Sequence, residues 1–330
     1  MKQYLERLTA GEILSQQEAY KILTEIGTAQ HEPIPIAAFL TVFMMRPIHP
    51  QELAGFREAL LDLCIPVDLS AYDPIDLCGT GGDGKDTFNI STLAAVVTAG
   101  AGVKVSKHGN YGVSSGCGSS NVLEFLGVRF SNDADFLDRC IDQAGICVLH
   151  APLFHPAMKE VAPIRKGLGL KTFFNMLGPL VNPARPPHQL VGVYSLELMR
   201  LYAYIFEQSD TNHTIIHALD GYDEISLTGP VKICQAQQER LLTPADFGCQ
   251  TLVPEAIGGG HTVEAAAQIF MQVLKNEATA AQTQVVCANA GMAIATQKHL
   301  SPTDGYALAE ESLKSGKALQ ALQKLQEISR

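Results

Sequence analysis

The residues best suited to chemistry fall in two glycine-rich runs. The first is Gly79-Thr80-Gly81-Gly82-Asp83-Gly84; the second extends from Lys107-His108-Gly109-Asn110 through Tyr111, Gly112, Val113, Ser114 and Ser115 to Gly118-Ser119. Glycine lets backbone N–H groups come close to an anion, and a helix that starts just beyond adds its dipole. The second run also offers the cation of Lys107 and small hydroxyls, the donor set that an ionised phosphate requires. Three short patterns overlap these runs. Gly79, Gly81 and Gly84 fit G-x-G-x-x-G, but a dinucleotide site also needs an acid about 20 positions on, and after Asp86 the next acid is Glu124. Gly79–Lys85 fits the opening of a P-loop, with Asp86 where Ser or Thr is required; a carboxylate there repels nucleotide phosphate. Gly112-x-Ser114-x-Gly116 has the spacing of a hydrolase elbow, which needs a His/acid pair that spacing alone does not supply.

Other chemistry lies outside the two runs. Ser91 and Thr92 are suited to cap a helix or to bring a hydroxyl to a phosphate or metal at the same helix end. Asp220-Gly221-Tyr222-Asp223-Glu224 places adjacent carboxylates after a run that reads as a strand. Such carboxylates are either solvated in a turn or bound to a cation, and Mg²⁺ is the cation that takes few carboxylates together with water and substrate phosphates. Arg165 is a cation beside apolar residues, with a plain surface charge as the other reading. His213 and His217 share a strand face but lack a third ligand, which argues against zinc.

These residues need elements to position them. Residues 1–70 carry apolar side chains at helical spacing, including Leu5, Leu8, Ile22, Leu23 and Ile26, with Pro33, Pro35, Pro47 and Pro50 at the joints. From Asp73 onward strand and helix alternate: strand Ile75–Cys78, a helix from Ser91 to Gly100, strand Val103–Ser106 and a helix over Asn121–Leu126. Residues 163–187 are dense in Pro and Gly and read as a connection crossing back toward the helical part. Strands over Leu190–Tyr194 and His213–Leu219 follow, then helices over Val263–Lys275, Ala278–Thr296 and Ser301–Ser329. This order predicts an α/β chain with a small N-terminal helical domain, 1–72, and a returning segment near 165–187. A large α/β domain, 73–330, forms around a central, largely parallel sheet, with ligand loops at the strands' C-terminal ends.

Composition limits the function. The 330 residues are 46% hydrophobic and 18% charged, with a formal net charge of −10, which argues against a nucleic-acid partner because phosphate-backbone binding needs a basic surface. A local pocket still binds a small anion against that charge. The eight cysteines include no C-x-x-C pair and read as reduced thiols. The first residues carry charges among their apolar side chains, unlike a secretory leader, and the longest near-apolar run, Leu93–Val103, is too short to span a bilayer. The expected location is the cytoplasm, with no membrane partner.

Taken together, Gly79–Gly84, Phe88–Thr92, Lys107–Asn110 with Ser114-Ser115, Ala151-Pro152 through His155–Met158, Pro163-x-Arg165, Thr172–Pro183 and Asp220–Ser226 resemble the anthranilate phosphoribosyltransferases, nearly end to end. The resemblance implies transfer of the phosphoribosyl group of phosphoribosyl pyrophosphate (PRPP) to anthranilate, with Mg²⁺ as cofactor and a homodimer formed through the helical domains. It assigns PRPP to Gly79, Gly82, Asp83, Thr87, Asn89, Ile90, Ser91, Thr92, Lys107, His108, Gly109, Asn110, Tyr111, Gly112, Val113, Ser114, Ser115 and Ser119. It assigns Mg²⁺ to Ser91, Asp223 and Glu224, and the anthranilate contacts to Gly79, Asn110 and Arg165, with His108 nearby. Asp83, Lys107, His108 and Asn110 are its catalytic candidates, and none is identified as a general base. Two departures stand out: the family usually has Arg where this chain has Tyr111, and Gly-Ser-Ala-Asp where it has Gly118-Ser119-Ser120-Asn121. The alternatives are a pyrimidine nucleoside phosphorylase, which should lack the Asp223-Glu224 pair, and a non-catalytic homologue that binds nucleic acid.

Overall fold

In the computed structural model, which describes residues 1–112, 117–236, 238–260 and 262–330, seven strands form one sheet: β1 (Ile75–Gly79), β2 (Val105–Gly109), β3 (Ile146–His150), β4 (His188–Gly192), β5 (Asn212–Ala218), β6 (Val231–Gln235) and β7 (Gln238–Leu242). Their order is β3-β2-β1-β4-β5-β6-β7. The first five are mutually parallel, and β6 and β7 extend the sheet antiparallel. From β1 the chain moves outward through β2 to β3, then returns to lay β4 on the other side of β1. That reversal opens a crevice at the C-terminal ends of β1 and β4, where open α/β sheets bind ligands. In register, the terminal residues of these two strands are Gly79 and Gly192.

Contacts divide the described chain into two units, Met1–Val67 with Ala151–Arg185, and Asp68–His150 with Pro186–Arg330. The first is helical: α1 (Lys2–Thr9), α2 (Gln16–Gly27), α3 (Pro33–Met45) and α4 (Pro50–Leu63), with further helices in its second segment. Prolines open α3 and α4, where a missing N–H costs nothing. Ser15 and Glu18 cap α2 reciprocally. Its core is aromatic: Phe173 stacks on Phe56 at 4.4 Å and meets Phe39 and Phe43 edge-on. The fully buried Glu52 carboxylate is held by Arg46 and by the amides of Leu14 and His49, which offsets the cost of burying it.

In the second unit, helix α5 (Ile90–Gly100) and the helix Ala280–Lys298 pack against each other and against the sheet, α5 almost wholly buried and its neighbour buried over Val285–Thr296. Several elements differ from the sequence expectation. β2 begins at Val105, opposite Ile75 of β1, so Lys107 and His108 lie on the strand rather than in the loop after it. β3, β6 and β7 are additional strands. The stretch read as breakers, 163–187, begins inside a helix, Met158–Leu168, that runs through Pro163 with the loss of one backbone bond. The single C-terminal helix is two, Pro302–Lys314 and Lys317–Ile328, broken where Gly316 takes φ +76°, a left-handed conformation that suits glycine.

Candidate active site

The first glycine-rich loop leaves β1 at Gly79, and Thr80 donates its N–H to the Gly192 carbonyl across the crevice (2.9 Å). Gly81, Gly82 and Gly84 take positive φ, as does Asp86, so the loop reverses within a few residues. Asp83 Oδ1 accepts from the Lys85 amide (3.1 Å). The loop then runs beside residues 257–260: Thr87 pairs with Gly258, and the Gly259 N–H donates to the Asp86 carbonyl.

Three carboxylates meet here. Asp223 Oδ2 accepts from the Gly81 amide at 2.7 Å, and the Asp83 carboxylate lies close enough for its charge to act on Asp223. Glu224 Oε1 accepts from the Ser91 amide at 3.0 Å, in the first turn of α5, where the helix dipole favours an anion. Burial, then the charge of Asp83, pushes the Asp223 carboxyl up to about 7. Burial, then the charge of Asp223, holds Glu224 well above the usual carboxylate range. Glu224 Oε2 is buried and has no partner among the described residues. A site that penalises its own negative charge and aims an unpartnered carboxylate oxygen inward fits a cation. Among the described residues no three His, Cys, Asp or Glu side chains form a ready ligand set. The donors therefore suit Mg²⁺, which takes one or two carboxylates and completes its shell with water and phosphate.

The raised Asp223 carboxyl carries a stability signature. Between its unfolded value, near 3.8, and about 7, the folded protein holds a proton that the unfolded chain has released, so stability falls as pH rises through that window. Metal-free protein is expected to be less stable at pH 8 than at pH 5 by an amount that Asp223→Asn reduces, on the order of a few kcal/mol. Thermal melts of both proteins at both pH values test this; equal pH dependence would show that this carboxyl does not govern it.

The second run is anchored at its base. The Lys107 ammonium is buried and donates to the Leu77 carbonyl (2.7 Å); the His108 amide donates to the buried Asp76 carboxylate (3.1 Å). Gly109, ending β2, faces Ser119, whose hydroxyl donates to the Asn110 carbonyl. Asn110 Oδ1 accepts from the Tyr111 amide. Asn121 Oδ1 accepts from the amides of both Gly112 and Gly118 (3.0 Å each). Asn89 Nδ2 donates to the Cys117 carbonyl (3.1 Å), tying the second run to the start of α5, while Ile90 and Thr92 are buried in α5. Val113, Ser114 and Ser115 lie outside the described residues.

The structure thus gathers Gly79, Asp83, Ser91, Asp223 and Glu224 at one crevice. Arg165 belongs to the helical unit, where its Nη2 donates to Asn175 Oδ1 (3.3 Å). His213 and His217 bond to the carbonyls of Thr211 and Val193 as ordinary structural histidines. Thr80, whose buried hydroxyl has no partner among the described residues, carries no local signal in the sequence beyond its place in the loop. Gly192 has none either, and for Asn289 the one signal is a lone amide inside the apolar run Val285–Ala295.

Comparison with known proteins agrees with this architecture. Residues 2–64 match the helical bundle domain of the glycosyl transferase family, and residues 71–319 match its a/b domain. An anthranilate phosphoribosyltransferase from Flavobacterium psychrophilum is 64% identical over 329 residues, covering 100% of both chains. The crystal structure of anthranilate phosphoribosyltransferase from Thermus thermophilus superposes with a TM-score of 0.92 at 34% identity, covering 99% of each chain. The same enzyme from Saccharomyces cerevisiae, in complex with PRPP and Mg, gives a TM-score of 0.92 at 27% identity, covering 99% of this chain and 97% of that one.

Proposed function

The chain belongs to the anthranilate phosphoribosyltransferase family, and from that premise we infer that it transfers the phosphoribosyl group of PRPP to the amine of anthranilate, releasing pyrophosphate, a step of tryptophan biosynthesis. The observation that carries the reading is the meeting of Asp223, Glu224 and Asp83 at the first glycine-rich loop.

In the reaction the aryl amine displaces pyrophosphate from ribose C1. An aryl amine is a mild nucleophile, so the protein's tasks are positioning and charge stabilisation. Ser91, Asp223 and Glu224 would hold Mg²⁺, which when bound neutralises charge on the departing pyrophosphate. The loop amides and the N-terminus of α5 bind phosphate oxygens as charge builds on them. Lys107 contributes a fixed positive charge beneath the loops, and Arg165 takes the anthranilate carboxylate. Gly79 and Asn110, with His108 nearby, line the place of the reacting centre. The test is direct: anthranilate fluorescence should disappear only when PRPP and Mg²⁺ are both supplied, and chelation should stop the loss. Fluorescence loss without PRPP, or its absence with both present, would overturn the reading.

The proposal extends to assembly and location. We read the helical unit, Met1–Val67 with Ala151–Arg185, as the small domain and the rest of the chain as the large one, the returning segment starting earlier than the 165–187 expected from the sequence, and a second copy as the partner of the helical part. The sequence of α3, Pro33–Met45, is almost entirely apolar, and its Ile34 and Met45 are 83% and 82% exposed, apolar surface that a second copy would cover. Net charge −10, eight free thiols and the absence, among the described residues, of any helix long and apolar enough to cross a membrane support a cytoplasmic enzyme of small substrates.

Tyr111, where the family usually has Arg, is placed by contacts that a cation can also make. Its hydroxyl donates to the Glu124 carboxylate (3.2 Å) and its ring meets the His150 ring edge-on at 4.7 Å. Tyr111→Arg is therefore expected to keep activity and to change the PRPP KM within tenfold, about 1.4 kcal/mol. A collapse of kcat would reveal a role for the phenol itself.

A further inference from the structure

Asn289 and Gly192 both abut the segment that carries the acidic pair. Asn289 is 3% exposed on the buried helix Ala280–Lys298. Its Oδ1 accepts from the Ile225 N–H (3.0 Å), and its Nδ2 donates to the Ile225 carbonyl (2.9 Å) and to the Val285 carbonyl (2.9 Å). One amide thus binds both backbone groups of the residue that follows Glu224. At the other end, a Cβ built on Gly192 would overlap the Asp223 carbonyl oxygen, and one built on its strand neighbour Gly79 would fall on the Asp223 carboxylate. Asp223 therefore sits in a notch that exists because two adjacent parallel strands both end in glycine. With Gly81 N–H holding its carboxylate, the segment 223–225 is fixed at both ends, and Glu224 lies between the fixed points with Oε2 unpartnered among the described residues.

We infer that Asn289 and Gly192 are positioning residues for the cation ligands Asp223 and Glu224. The inference rests on the reading of that pair as the cation site. Mg²⁺ demands near-ideal octahedral geometry at short range, so a carboxylate displaced by a fraction of an ångström binds it poorly. Groups that orient ligands from behind typically govern affinity by 10- to 100-fold. Asn289→Asp keeps the size of the side chain and an acceptor for the Ile225 N–H while removing the donor to both carbonyls. Gly192→Ala fills the notch from the opposite side.

The experiment titrates Mn²⁺ into the protein with PRPP present and anthranilate absent, reading free Mn²⁺ by electron paramagnetic resonance, with circular dichroism and melts to establish folding. Wild type should bind Mn²⁺ in a manner lost in Asp223→Asn/Glu224→Gln. Folded Asn289→Asp and Gly192→Ala should each bind it roughly tenfold or more weakly, with kcat at saturating metal and the anthranilate KM within about twofold of wild type. Unchanged Mn²⁺ affinity in both folded variants, or a fall in kcat and melting temperature without a change in that affinity, overturns the positioning role alone. Wild-type binding that ignores Asp223 and Glu224 overturns the cation reading as well.

Discussion

Replacing Asp223 with Asn and Glu224 with Gln is expected to lower turnover at millimolar Mg²⁺ by about a thousandfold or more, roughly 4 kcal/mol of barrier, because the leaving pyrophosphate loses its neutralising partner. The fold should survive. An Asn oxygen at 223 can still accept from the Gly81 N–H, and a Gln oxygen at 224 can still accept from the Ser91 N–H, so both backbone donors remain satisfied. The two substitutions also remove buried negative charge that raises the pKa of both groups. The metal-free double variant should therefore be at least as stable as wild type at pH 8. Loss of activity with stability retained separates a ligand role from a structural one. Normal turnover of the double variant at low Mg²⁺ would show that the cation is held elsewhere or not required.

The acidic pair was legible in the sequence because its chemistry is local: two adjacent carboxylates at a strand end need either solvent or a cation. The glycine-rich loops were legible for the same reason, since each follows a strand and precedes a helix. What escaped was whatever depended on distant partners. β3 is buried along its whole length, and a continuous apolar run lacks the alternation that marks a half-exposed strand. β7 is the reverse case, an exposed edge strand, Gln238–Leu242, that reads as polar loop until β6 pairs with it. β-branched Val103 suggests a strand that starts there, whereas pairing with β1 and β3 begins at Val105. Asn289 acts on Ile225 across 64 residues of chain, and Gly192 matters for the space it leaves. A lone amide in the apolar run Val285–Ala295 marks Asn289 as unusual, but no local pattern encodes its partner or the space at Gly192.

Arg165→Ala is expected to raise the anthranilate KM roughly 10- to 150-fold, about 1.5–3 kcal/mol, the range for a charge-assisted hydrogen bond. The guanidinium donates to Asn175 Oδ1, and its carbon lies 5.3 Å from the centre of the Phe174 ring. The same Asn175 oxygen accepts from the Thr172 N–H (3.0 Å), which fixes the amide that steadies the arginine. No described carboxylate forms an ion pair with Arg165, and its partial burial lowers its pKa. A partly desolvated cation without a counter-ion costs stability in the free protein and gains on meeting a carboxylate. Truncation should therefore weaken anthranilate use while leaving the melting temperature of the free protein unchanged or raised. Arg165→Lys keeps the charge but loses the planar fork that grips a carboxylate through two parallel bonds, so its anthranilate KM should also rise. The PRPP KM should move little in either variant, since its phosphates are assigned to the two glycine-rich loops. Steady-state KM values for both substrates, with a melt of each variant, decide the matter. Equal losses for the two substrates with a lowered melting temperature would mark Arg165 as structural, and an unchanged anthranilate KM would remove it from the site.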